Sequence, residues 1–270
     1  MQARSALFDL YGDYLRSRGG RAPVAALVKL LAPLGIAAPA VRTAVSRLVR
    51  QGWLQPLPMS AGPGYRLTPA AARKLDEAYA RLHRTGRAAW DGRFDLVLPH
   101  RPLAARVARR LTALGYGMLD EHVWVATRPA DEVDTLLTGA AVAYERFSAA
   151  HPAGSPGAAA VVGRAWDLPE IGRGYEDFVA TQRPLVSSVT ARTSDEQAYA
   201  ARVALVHAWR TSLAGDPQLP PALLPSPWPG TGAATFFDRH AARLRPAADR
   251  YVERCLAPPS RSARVGFSDP

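Results

Sequence analysis

VRTAVSRLVRQGWL, residues 41–54, carries two chemistries at one period. At about 100° per residue, Val41, Val45, Leu48 and Val49, with Ala44 and Gly52, fall on one side of a helix, and Arg42, Thr43, Ser46, Arg47 and Arg50 fan across the other. The apolar side belongs against a core, and the polar side is set for contact. What surrounds the helix decides what it contacts.

Upstream, SALFDLYGDYLRSRG offers Ser5 as an N-cap and repeats Leu7, Leu10, Tyr11, Tyr14 and Leu15 before Gly19 and Gly20 stop the helix. Pro23 suits the first position of a second helix carrying Val24, Leu27, Val28, Leu31 and Leu34, which ends at Gly35. Pro39 opens the third helix and Gly52 closes it. Downstream the period shortens to that of a strand. WLQPLP and GYRLT flank the breaker-rich MSAGPG, which predicts a β-hairpin with an extended tip and confines the first strand, with Pro56 and Pro58, to an edge. Thr68-Pro69 then caps a helix with Leu75, Ala78, Tyr79 and Leu82 on one side. Three helices, a hairpin and a linking helix over residues 1–87 predict a winged helix-turn-helix DNA-binding domain.

The charge distribution agrees. The 270-residue chain has a formal net charge of +11, and residues 1–87 hold 14 Lys+Arg against 4 Asp+Glu while residues 88–270 hold 20 against 19. A segregated cationic excess marks a segment that meets a polyanion, most often nucleic acid. In such a domain the third helix enters the major groove of double-stranded operator DNA. Arg42, Thr43, Ser46 and Arg47 are then assigned to base edges, Arg50 to phosphate, and Tyr65 and Arg66 to contacts of the hairpin.

Other classes find less support. Cys255 is the single cysteine, so an intramolecular disulfide framework and a thiolate-rich zinc site are excluded, in keeping with a cytoplasmic protein. No apolar run nears the roughly 20 residues that span a bilayer, and the first residues lack a signal-peptide core. His83, His100, His122, His151, His207 and His240 show no metal-ligand spacing, so no metal or cofactor is expected.

Residues 88–168 predict a ferredoxin-like dimerisation domain, from a βαββαβ order read over 93–149: RFDLVLPH, LAARVARRLTALG, YGML, HVWVATR, ADEVDTLLTG and AVAYERFSA. Asp95, Asp120 and His122 invite a nuclease reading, but Asp95 lies near the start of its strand, whose end reads Pro99-His100. HPAGSPGAAA reads as a connector and VVGRAWDL as a strand. Residues 169–257 predict a mainly helical effector domain. Ile171, Tyr175, Phe178 and Val179 line one helix. Ser194 and Gln197 form a capping box for another, with Leu205, Val206, Trp209 and Leu213 inward. GDPQLPPALLPSPWPG carries six prolines and must be an extended loop, and Pro246 is expected to kink or divide a last helix holding Phe236, Phe237, Leu244 and Tyr251. Residues 258–270 read as a disordered tail. The fold class expected is thus α+β and multidomain.

Three blocks in order, LYGDYL with LVKLLAPLGIAAPAVRTAVSRLVRQGWL, then YRLTPAA leading to WDGRFDLVL, then LVHAWRTSLAGDPQLPPALLPSPWPG, resemble the PaaX family of bacterial transcriptional repressors over about residues 7–251. The resemblance implies a homodimeric repressor of phenylacetate-degradation genes, released from its operator by phenylacetyl-coenzyme A. The hairpin tip PMSAGPG departs from this pattern in lacking basic and aromatic residues, which leaves Tyr65 and Arg66 for its contacts. For an acyl-CoA effector, Trp209 and Arg210 beside the proline-rich loop with Trp228 offer an aromatic wall and a cation, although Trp209, spaced with Leu205 and Leu213, reads more readily as core. The competing reading is an enzyme acting on nucleic acid or acyl-CoA through the ferredoxin-like or C-terminal domain.

Overall fold

A computed structural model describes residues 1–83, 89–151 and 157–257, so the predicted tail and part of the predicted connector lie outside the described residues. It is an α+β chain with ten α-helices and two antiparallel sheets among the described residues.

The first helix, α1 (Ala3–Leu10), continues through a π-helical turn over Tyr11–Leu15 and a 3-10 turn over Arg16–Arg18. Ser5 is not its N-cap: the helix begins two residues earlier, with Gln2 at the cap position and no side-chain cap bond. Gly19 and Gly20, at φ of 81° and 64°, supply the left-handed backbone that ends it. Arg21–Pro23 then form β1, a strand the sequence reading lacks, and Pro23 becomes the N-cap of α2 (Val24–Leu31) rather than its first residue. A 3-10 turn leads to α3 (Ala38–Arg50), with Pro39 in its first turn.

The hairpin is longer and its tip tighter than expected. β2 (Leu54–Met59) and β3 (Gly62–Leu67) pair from Leu54 with Leu67 to Met59 with Gly62, which leaves only Ser60 and Ala61 between the strands. The sheet order β1-β3-β2 puts the Pro56 and Pro58 strand at an edge, where missing N–H donors cost no ladder bonds. In the middle of β3, a Cβ on Gly64 would collide with Met59 and come within 2.9 Å of the Ala22 carbonyl oxygen. α4 (Pro69–Leu82) follows, its Ala71 N–H donating to Thr68 Oγ1 at 3.2 Å.

The next six elements are β4 (Arg93–Pro99), α5 (Ala105–Ala113), β5 (Gly117–Asp120), β6 (Val123–Ala126), α6 (Glu132–Gly139) and β7 (Tyr144–Ala150). Their sheet runs β5-β6-β4-β7 with antiparallel pairing throughout, so β7 is an edge. Val97, Leu111, Trp124, Val133 and Leu137 fill one face beneath α5 and α6. Phe94, Val125, Val162 and Trp166 pack on the other.

The expected strand VVGRAWDL is instead helix α7 (Ala158–Ala165), which turns extended only at Trp166. Three alanines precede its two valines, and a buried Val162 packed on the sheet satisfies one helical face. α8 (Leu168–Ser188) and α9 (Asp195–Ser212) follow, and the capping box closes, with Gln197 N–H on Ser194 Oγ at 3.2 Å and Ser194 N–H on Gln197 Oε1 at 3.3 Å. One 3-10 turn, Leu213–Gly215, leads into the proline-rich stretch and another, Pro221–Leu223, interrupts it. The final helix, α10 (Pro229–Leu256), is a single element of 28 residues that contains Pro246 and is not divided by it.

The chain partitions into two compact units. The first draws on 1–83, 184–207 and 239–257 among the described residues. Its core joins Leu7, Tyr14, Leu30 and Val45 to Tyr199, Val203, Ala248 and Val252. Inside it, Arg202 is buried against the Asp13 carboxylate and donates to Tyr14 Oη at 2.9 Å and to the Ala241 carbonyl at 3.1 Å. Arg245 reaches Asp13 Oδ1 at 3.2 Å, and buried Asp9 meets His207 Nδ1 at 2.7 Å. The second unit draws on 89–183 and 208–238 among the described residues. Among the described residues no helix is long and apolar enough to cross a membrane.

Candidate nucleic-acid interface

The two sides of α3 separate as its period demands. Val41, Ala44, Val45 and Leu48 are buried, Val41 completely, against α1 and α2. Arg42, Thr43, Ser46, Arg47 and Arg50 are all exposed. None of the three arginines has an ion pair or side-chain hydrogen bond among the described residues, so their charge faces solvent uncompensated. With no acidic residue in the first turn of α3 and Arg47 and Arg50 in its last, the basic groups sit where the helix dipole favours them.

Tyr65 and Arg66 lie on β3 and behave differently. Tyr65 is half-buried against the core, and its carbonyl accepts a 3.3 Å hydrogen bond from Tyr11 Oη. Burial pushes the Tyr11 hydroxyl pKa well up, so it keeps the proton it donates. Arg66 is exposed, and the register places it directly opposite Gln55 on one side and Arg21 on the other. Arg21 is a cation the sequence reading missed. It reaches the hairpin only through three-residue β1, which has no local signature in the sequence.

The other expected residues lie in the second unit. Trp209 is 1% exposed, stacked on Phe237 with centroids 5.1 Å apart and flanked by Phe178 at 5.1 Å and Tyr175 at 5.8 Å. Arg210 beside it is half-buried. On the same unit, Tyr175, Val179, Arg183, Trp228 and Phe236 line an open cleft of about 930 Å³, in which the Arg183 guanidinium lies 5.6 Å from the Phe236 ring.

The carboxylates that invited a nuclease reading are otherwise engaged. Asp95, 7% exposed, accepts from the Tyr116 hydroxyl and from Arg146 Nε and Nη2 at 3.1 and 2.9 Å. Arg146 also holds Asp134 at 2.7 Å. Hydrogen bonding from Tyr144, with Arg146 beside it, keeps the Asp134 carboxyl below the usual range. Asp120 is exposed and accepts its neighbour His122 N–H at 3.3 Å, and the His122 ring meets the Pro99 carbonyl at 3.1 Å. Asp95, Arg146 and Asp134 form an ion cluster, and among the described residues no group of three or more His, Cys, Asp or Glu could hold a metal ion.

An uncompensated cationic helix face on an apolar helical body, with a basic strand pair in the same unit, is the arrangement found in the class of proteins that meet a polyanion. Comparisons sharpen that class. The PaaX-like protein family matches residues 2–71, and the PaaX-like protein C-terminal domain matches residues 166–254. The chain is 32% identical over 259 residues to the transcriptional repressor PaaX of Escherichia coli (strain K12), covering 92% of this chain and 82% of that protein. An uncharacterized protein, Rv0674 from Mycobacterium tuberculosis, shares the fold with a TM-score of 0.59 at 22% identity, over 95% of this chain and 99% of that one. The chain belongs to the PaaX-like family, which includes that transcriptional repressor, a regulator and not an enzyme.

Proposed function

We propose that the chain represses transcription by binding operator DNA as a homodimer in the cytoplasm, and that its target is phenylacetate or related aromatic catabolism. The exposed row Arg42, Thr43, Ser46, Arg47 and Arg50 carries this reading, because its opposite side is fully committed to the core and it has no protein partner among the described residues. Residues 1–87 act as a winged helix-turn-helix: α3 lies in the major groove, Arg50 holds phosphate, and the β2–β3 wing brings Arg66 and Tyr65 toward the backbone.

Residues 88–168 act as a ferredoxin-like dimerisation domain. The β5-β6-β4-β7 order and antiparallel pairing favour the split βαβ reading, and edge strand β7 favours the dimer. Phe147 on β7 is 51% exposed. Antiparallel pairing of β7 with its copy, centred on Phe147, sets the two rings side by side and Arg146 opposite Ser148, without like charges in register.

Residues 169–257 act as the effector domain. The effector is an aryl-acyl-CoA such as phenylacetyl-CoA. The cleft at Trp228 and Phe236 supplies an apolar slot and Arg183 a cation, while Trp209 backs the wall through Phe178. Release requires the effector to favour a state that no longer fits both half-sites.

The test is a mobility-shift titration of the upstream intergenic duplex against an unrelated duplex. Arg47→Ala is expected to lose about 1–3 kcal/mol of operator affinity and relax sequence preference, as removal of a base contact does. Arg50→Ala should weaken both duplexes alike. Equal binding of the two duplexes by the unaltered chain would refute operator recognition. Operator affinity unmoved by phenylacetyl-CoA would remove that inducer and leave the DNA-binding reading standing.

A further inference from the structure

The near balance of charge in residues 88–270 conceals a second cationic surface. From Leu96 to Leu119 the sequence holds Arg101, Arg106, Arg109 and Arg110 and no acidic residue. α5 sorts them cleanly. Val107 and Leu111 are buried in the core of the second unit, while Arg106, Arg109 and Arg110 share an arc of about 100° on the opposite side. All four arginines are exposed, and none has an ion pair or side-chain hydrogen bond among the described residues.

Five arginines of the C-terminal helices contrast with these. Arg202 and Arg245 hold Asp13, Arg250 and Arg254 hold Asp195, and Arg243 caps the carbonyls of Val186 and Val189. Against these held arginines, Arg101, Arg106, Arg109 and Arg110 stand as a bare cluster within ten residues.

That patch works against its own helix. Arg106 with Arg109 and with Arg110 form like-charge pairs at three and four residues' spacing, each of them unfavourable to the helix. Arg106 also lies in the first turn, at the positive end of the helix dipole, with no acidic residue there to offset it. Nothing in the described core needs these charges.

We infer that the α5 arginine face is a second DNA contact, one that grips the phosphate backbone of the duplex without reading its sequence. Arginine forks match phosphate oxygens, and neighbours three and four apart on a helix put Cβ atoms about 5–6 Å apart, close enough for long side chains to reach successive phosphates. The face carries no Ser, Thr, Asn or Gln among its three arginines, so its chemistry suits charge neutralisation rather than base recognition. The inference rests on the chain being a DNA-binding protein.

The experiment compares the full chain with the triple variant Arg106→Gln, Arg109→Gln, Arg110→Gln, titrated into the fluorescent upstream intergenic duplex and an unrelated duplex across a salt series. Each lost phosphate contact lowers the slope of log K against log salt by about 0.9. The variant should lose about 2–3 from the magnitude of that slope on both duplexes, with the preference between them and the circular dichroism melt unchanged. The triple lysine variant should restore most of the slope. An unchanged slope overturns this inference alone, as does a variant that loses only phenylacetyl-CoA binding. Failure of the unaltered chain to bind either duplex removes the proposed function and this inference together.

Discussion

At Asp13 and Arg202 a carboxylate and a guanidinium have left water together, with side chains 3% and 4% exposed. Replacing Arg202 leaves the buried carboxylate with only the half-buried Arg245 as counter-ion, so Arg202→Met should cost up to about 3–5 kcal/mol in urea denaturation, while adding Asp13→Asn should recover part of it. Recovery of nothing would show that Arg202 acts through packing alone. Residues such as these also mark how far single positions can be read from sequence. The exposed row of α3 was legible because helical period is local: five neighbours settle which side each residue takes. Asp95 was not, since its partners Tyr116 and Arg146 lie 21 and 51 residues away and arrive only when the sheet closes. Arg21 opposite Arg66 was hidden for the same reason.

Among the elements, β3 leaves no room for error. Gly64→Ala should destabilise the chain by about 1–3 kcal/mol, as forced overpacking does, because the new methyl meets both Met59 and the Ala22 carbonyl. A thermal melt measures it, and a neutral result would mean that β1 is free to shift. Most helices were legible from caps and period, including the capping box of α9 and Thr68 before α4. The failures share a cause. β1 has three residues and no pattern of its own, and α7 offered two adjacent valines whose β preference lost to the alanines before them and to burial of Val162. Pro246 was expected to kink or divide a helix, and α10 is not divided there, as the packing of Leu244, Ala248 and Val252 outweighs one missing backbone bond.

For the molecule as a whole, the compact units are not contiguous spans, and no local period announces that residues 184–207 and 239–257 pack with the first 83. Hydrophobic pattern tells which side of a helix is buried, never against which distant segment. The proposed dimer is tested at this scale. Phe147→Lys places two added cations at the centre of the β7 pairing, and sedimentation should show a shift from dimer toward monomer. Operator affinity should fall with it, since two linked half-sites bind far more tightly than one. A variant still dimeric at micromolar concentration would move the interface elsewhere.

The placement of Arg202, Arg245 and Val252 in the same interior as Asp13 and Leu7 has a consequence for synthesis. A nascent chain that has just emitted its basic helix still lacks the counter-ion of its thirteenth residue, Arg202, which lies 189 residues beyond Asp13. Messages cut short before that point should yield protein that degrades rather than a stable N-terminal fragment.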